Sequence, residues 1–169
     1  MTKNPTSGAR DTSDRVRRSR LLRLVPDSGL VDDLVARVAE LRAQRIELLP
    51  VEVGPGLPTG VWIAFPGFDY IVFPADASSS ERTAIICHEL AHMLLGHQDD
   101  PAADHRGAWA LLSAPDPERL KARQVLARHG YVDGVEAEAE QLATLLVARL
   151  DRHARADLLR RDAVSDRLR

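Results

Sequence analysis

His88-Glu89-Leu90-Ala91-His92 is an H-E-x-x-H sequence, and its residue types and spacing suit metal-assisted hydrolysis. Histidines four apart lie on one face of an α-helix, about one turn from each other, so both imidazoles can converge on one ion. Glu89 stands beside the first histidine, where its carboxylate can take a proton from an activated water without itself being a ligand. That division of labour is the zinc peptidase pattern.

The flanking residues predict the helix that this chemistry needs. Ser78 and Glu81 have capping-box spacing and place a helix start at Ser78. Ala84, Ile85, Ile86, Leu90, Met93, Leu94 and Leu95 make the segment apolar nearly all round, as expected of a buried central helix. Gly96 is a stop signal.

A catalytic zinc site needs a third protein ligand and an open position. The candidate segment is Val135 to Leu146, read as a helix with an apolar stripe of Leu142, Leu145 and Leu146 flanked by Ala139 and Val147. On that phase Glu138 projects from the apolar face, where a carboxylate is costly unless paired, protonated or bound to a cation. Glu138 is therefore the expected third ligand, while Glu136 and Glu140 read as a solvated acidic first turn. His97 is one residue short of the spacing in longer zinc motifs and reads as an exposed helix-end residue. Asp99, Asp100 and Asp104 read as solvated loop residues. Cys87 turns about 100° away from the histidine face and reads as a small buried residue. His105, His129 and His153 have no spacing partners and read as surface residues. Tyr131 and His129 are unsupported candidates for stabilising an oxyanion.

TAIICHELAHMLLGH (Thr83 to His97) and the later EAEAEQLATLL (Glu136 to Leu146) together resemble the ImmA/IrrE family of metallopeptidases. The likeness covers roughly residues 60 to 147. It implies zinc held by His88, His92 and Glu138, one ion per chain, with Glu89 as the catalytic acid–base. It also implies a cytoplasmic endopeptidase acting on a separate helix-turn-helix repressor, since no such segment is evident here. The chain departs from the family pattern in Val147-Ala148, where Met-Pro is frequent, in Leu142, where an aromatic is usual, and in a long stretch from Gln98 to Gly134. None of these touches a ligand or the proton-transfer residue; they bear on substrate. Two other readings belong to the same fold: a metal-binding or regulator-docking module that does not cleave, and the toxin of a toxin–antitoxin pair.

Composition narrows the remaining classes. The chain has 169 residues, 44% hydrophobic but only 4% aromatic, which predicts one domain with an aliphatic core. A net charge of −2 gives no nucleic-acid signature. A single cysteine fits a reducing compartment. No apolar run approaches a membrane span or signal segment, so a cytoplasmic protein without membrane association is expected. Oligomeric state is not legible.

The elements that must position the site follow from patterning. Residues 1–20 are polar and read as a disordered tail, and the cluster Arg15, Arg17, Arg18, Arg20 and Arg23 reads as solvated rather than nucleic-acid-binding. A single domain spans 21–150. Leu30, Leu34, Val38 and Leu41 recur at helical spacing. Ile46 to Val53 reads as a strand, and Gly60–Phe65 with Phe68–Phe73 as a hairpin around Pro66-Gly67. A helix is expected from Glu118 and another after Glu138 to about Leu150, with a basic tail over 151–169 that is helical at most in part. The sum is an α+β fold: a small three-stranded sheet packed with the H-E-x-x-H helix and C-terminal helices, like a minimal gluzincin peptidase. The hairpin is the expected edge for a peptide binding as an added strand.

Overall fold

A computed structural model describes residues 6–52, 60–65, 67–97, 124–127 and 133–166. Along them run α1 (Thr6–Leu21), a short 3-10 turn (Leu22–Leu24), α2 (Val31–Arg42), β1 (Arg45–Val51), β2 (Val61–Phe65), β3 (Phe68–Pro74), α3 (Ser79–Leu95), β4 (Gln124–Ala127) and α4 (Asp133–Asp166). The fold is mixed α+β. No helix among the described residues is long and apolar enough to cross a membrane.

The hairpin forms as expected, with β2 and β3 antiparallel from Phe65 opposite Phe68 to Val61 opposite Val72. β1 runs parallel to β3 on its other side. A fourth strand, β4, extends the sheet to the order β1-β3-β2-β4. It pairs antiparallel with β2, Ala127 opposite Val61. This corrects two expectations. Gln124–Ala127 is strand rather than part of a helix begun at Glu118, because pairing with the open side of β2 outweighs a weak helical pattern. Both hairpin strands are internal, and the sheet ends at β1 and β4.

Alternation on the strands divides the sheet into two faces. Trp62 and Ile71, opposite each other, join Ile46 in the main core with α2, α3 and α4. Val61, Ile63, Phe65 and Val72 form a smaller cluster with Phe68 and Tyr70. α2 buries Val31, Leu34, Val35 and Val38, an i, i+3, i+4, i+7 stripe. Leu30 and Leu41, expected in that stripe, are exposed.

Three polar side chains lock α2 to the sheet. Asp69 is fully buried; Arg42 Nη2 donates to it at 3.1 Å and Gln44 Nε2 at 2.8 Å. Arg42 Nη1 also donates to the Met93 carbonyl at 3.3 Å, reaching the end of α3. Burial pushes the Asp69 carboxyl up, against the opposing pull of Trp62, Arg42 and Gln44.

Both chain ends differ from expectation. Thr6–Leu21 is helical rather than disordered. Arg17 Nη2 donates to the Leu95 carbonyl at 2.8 Å and Arg18 Nη1 to Gln141 at 3.0 Å, so two of the arginines tether α1 to α3 and α4. α4 continues through the expected basic tail to Asp166. His153 is not a free surface residue: its Nδ1 donates to the Pro26 carbonyl at 2.8 Å. Gly29 (φ 70°) lies so close that a Cβ there would stand 2.3 Å from the Ala154 nitrogen. These contacts give the distal part of α4 a partner that composition does not reveal.

Asp69→Ala removes a buried charge and leaves Arg42 and Gln44 facing an emptied site. A loss of about 3 kcal/mol in unfolding free energy is expected, measured by urea denaturation.

Candidate metal centre

α3 forms because its start is capped and its body is buried. Glu81 N–H donates to Ser78 Oγ at 3.3 Å, and the Ser78 N–H and Oγ–H donate to the Glu81 carboxylate at 2.9 and 2.6 Å. Those bonds draw the Glu81 carboxyl below its usual range. Gly96, at φ 77°, closes the helix in the left-handed conformation. Between these ends every residue from Ile85 to Met93 is buried, the H-E-x-x-H sequence included.

Among the described residues, His88, His92 and Glu136 form a group able to hold a metal ion, their ligand atoms all within 4.8 Å of one another. The two Nε2 atoms are 2.9 Å apart. Glu136 Oε2 is 3.5 Å from His88 Nε2, and Oε1 is 3.3 Å from His92 Nε2. Ligands at ~2.0–2.1 Å around a tetrahedral ion are about 3.3 Å from one another. The group therefore has the size such an ion needs.

The third member is Glu136, where the sequence pattern pointed to Glu138. α4 buries Ala139, Leu142, Ala143, Leu146 and Leu150, while Leu145 is exposed. The true stripe therefore runs 136, 139, 143, 146, 150, and Glu136 is its N-terminal continuation. Counting Leu145 as core rotates the reading by roughly 60° and brings Glu138 inward. Glu138 is instead half exposed, its Oε2 3.6 Å from His97 Nε2.

The outer nitrogens of both histidines are engaged. His88 Nδ1 lies 3.2 Å from Glu140 Oε2, and His92 Nδ1 lies 3.1 Å from His97 Nδ1. With Nδ1 protons directed to those acceptors, both Nε2 lone pairs and the Glu136 oxygens face one another. A set made only of acceptors suits a cation, so the chemistry of the donors fits a metal as well as their spacing does. His97 is correspondingly not an exposed helix end: its side chain is only 10% exposed. Burial lowers its basicity, Glu138 opposes that, and Arg17 adds to it.

Glu89 is buried at 3% exposure. Gly60, at the entrance to β2, allows it to sit there: a Cβ on Gly60 would come within 2.9 Å of Glu89 Oε1 and 2.4 Å of Ile85 Cγ2. In the sequence Gly60 carries only the signal of a strand start, and this close approach has no local signature. Cys87 is fully buried on another face of α3. Burial first, and then Asp151, push its thiol up to about 12, so it is a packed neutral group rather than a ligand or nucleophile. Asp99, Asp100, Asp104, His105, His129 and Tyr131 lie outside the described residues.

Comparison of the chain with protein-family models, curated proteins and solved structures finds no significant match in any of the three.

Gly60→Ala forces Ile85 and the Glu89 carboxylate to move. Overpacking of this kind costs about 1–3 kcal/mol. The expected result is a modest fall in melting temperature with metal affinity near wild type, read by thermal denaturation and metal titration.

Proposed function

We propose that the protein is a zinc-dependent endopeptidase. The observation that carries this reading is the convergence of His88, His92 and Glu136 beside a buried Glu89 on the same helix. Two imidazoles and one carboxylate are a ligand set of catalytic zinc sites, which keep a further position open. Zinc bound there supplies Lewis acidity, polarising a carbonyl and making water acidic enough to ionise near neutral pH.

The chain's own groups supply the rest. Glu89 takes the proton of the attacking water and passes it to the departing amine nitrogen. Glu140 holds His88 from behind and fixes the ring's orientation.

The substrate in this reading is an extended peptide segment. β4 ends the sheet order, and its residue Ala127 pairs with Val61, next to Gly60 at the Glu89 carboxylate. A peptide added along β4 would run past the catalytic glutamate, with main-chain hydrogen bonds giving affinity and side-chain pockets giving choice. The resemblance of TAIICHELAHMLLGH and EAEAEQLATLL to the ImmA/IrrE family suggests a separate helix-turn-helix repressor as the protein cleaved, in the cytoplasm.

Glu89→Gln keeps the shape of the side chain and removes its basicity. The variant is expected to bind one zinc per chain with unchanged affinity and to lose at least about 100-fold in peptide-bond cleavage, the lower range for a general acid–base residue. Cleavage is scored by mass spectrometry of a helix-turn-helix repressor incubated with either form. Full cleavage by the variant would contradict the assigned role; binding of the repressor without cleavage by either form would favour a docking module.

A further inference from the structure

His97 and Glu138 lie behind His92, on the side away from the candidate ion. His97 Nδ1 is 3.1 Å from His92 Nδ1, while the opposite edge of the His92 ring faces His88 and Glu136. His97 therefore cannot reach the ion by the same nitrogen that meets His92. Its other nitrogen, Nε2, faces Glu138 Oε2 at 3.6 Å. The ring is held between the two, nine-tenths buried at the turn that follows α3.

We propose that His97 and Glu138 are a positioning pair that selects the tautomer of His92 able to ligate the metal. This rests on the metal-site reading of His88, His92 and Glu136. Ligation through Nε2 requires the His92 proton on Nδ1. There it is donated to His97 Nδ1, which must accept, so the proton of His97 moves to Nε2 and is turned toward the Glu138 carboxylate. A histidine ligand is ordinarily backed by a carboxylate or carbonyl. Here a second imidazole stands between ligand and carboxylate.

Without the ion, the same rings can be satisfied in the opposite sense. His97 Nδ1–H then donates to His92 Nδ1, His92 Nε2–H to His88 Nε2, and His88 Nδ1–H to Glu140. Three neutral rings carry three protons in either arrangement. Metal uptake therefore reverses the His92–His97 hydrogen bond without releasing a proton from these rings. Glu138 favours the metal-ready arrangement, because only there does His97 present it with an N–H. This gives Glu138 a part in the site other than ligation.

The test combines imidazole nitrogen NMR with zinc titration on the full chain. In the wild type, zinc is expected to leave His92 as the Nδ1–H tautomer and to convert His97 to the Nε2–H tautomer. His97→Phe removes the acceptor and should weaken zinc binding about 10- to 100-fold, the usual effect of removing an outer-sphere partner. His97→Asn offers a side-chain oxygen in place of Nδ1 and should restore most of that loss. Unchanged zinc affinity in His97→Phe would overturn the pair. Should that variant fail to fold, the wild-type spectrum decides: His97 still protonated on Nδ1 with zinc bound overturns the proposal. A wild type that takes up no zinc is a different result, and overturns the metal-site reading itself.

Discussion

Two imidazoles buried side by side on one helix impose the main constraint on this molecule. His88 and His92 are each almost inaccessible to water, and their Nε2 atoms meet at 2.9 Å. Buried polar nitrogens must be satisfied, and here one helix does most of that work. α4 places Glu136 at the shared edge of the two rings, Glu140 behind His88 and Glu138 behind His97. The alternating glutamates of Glu136-Ala137-Glu138-Ala139-Glu140 thus face four imidazole nitrogens on three rings. Ala139 between them is buried, and allows α4 to approach α3.

The rest of the fold serves that approach. Leu142, Ala143, Leu146 and Leu150 press α4 into the same core as Ile86, Leu90 and Met93 of α3. Leu34, Val35 and Val38 of α2 and Trp62 and Ile71 of the sheet fill the remaining sides of that core. Asp69, Arg42 and Gln44 tie sheet and α2 together, and Arg42 extends the tie to Met93, one residue past His92. Arg17 reaches the Leu95 carbonyl from α1. The end of α3 that carries His92 and leads to His97 is therefore held from two directions. An outer-sphere hydrogen bond depends on such fixing, since a loosely held partner cannot select a tautomer.

Local signals in the sequence carried the helix, its boundaries and its chemistry. Ser78, Glu81 and Gly96 act through bonds to immediate neighbours, and H-E-x-x-H spacing is a property of one helix, so both can be read without tertiary knowledge. The hairpin around Gly67 and the strand at β1 were legible for the same reason, whereas the parallel pairing of β1 with β3 was not. Long-range facts were not. Leu145 looks like core but is exposed, Ala143 looks neutral but is buried, and that exchange turned the helix enough to pick Glu138 over Glu136. β4 is four residues long and exists through pairing with β2. Helix α1 and the far half of α4 depend on contacts with Leu95, Gln141, Pro26 and Gly29, none of which is near in sequence.

In the proposed site Glu136 completes the ligand group and Glu138 stands behind it. The most direct measurement is metal content by mass spectrometry on wild type, Glu136→Ala and Glu138→Ala purified side by side. About one zinc per chain is expected in the wild type, near-complete loss in Glu136→Ala, and retention with weakened affinity in Glu138→Ala. Zinc kept by Glu136→Ala and lost from Glu138→Ala would contradict it, returning the third position to Glu138. A wild type that binds no zinc would contradict the account at its root.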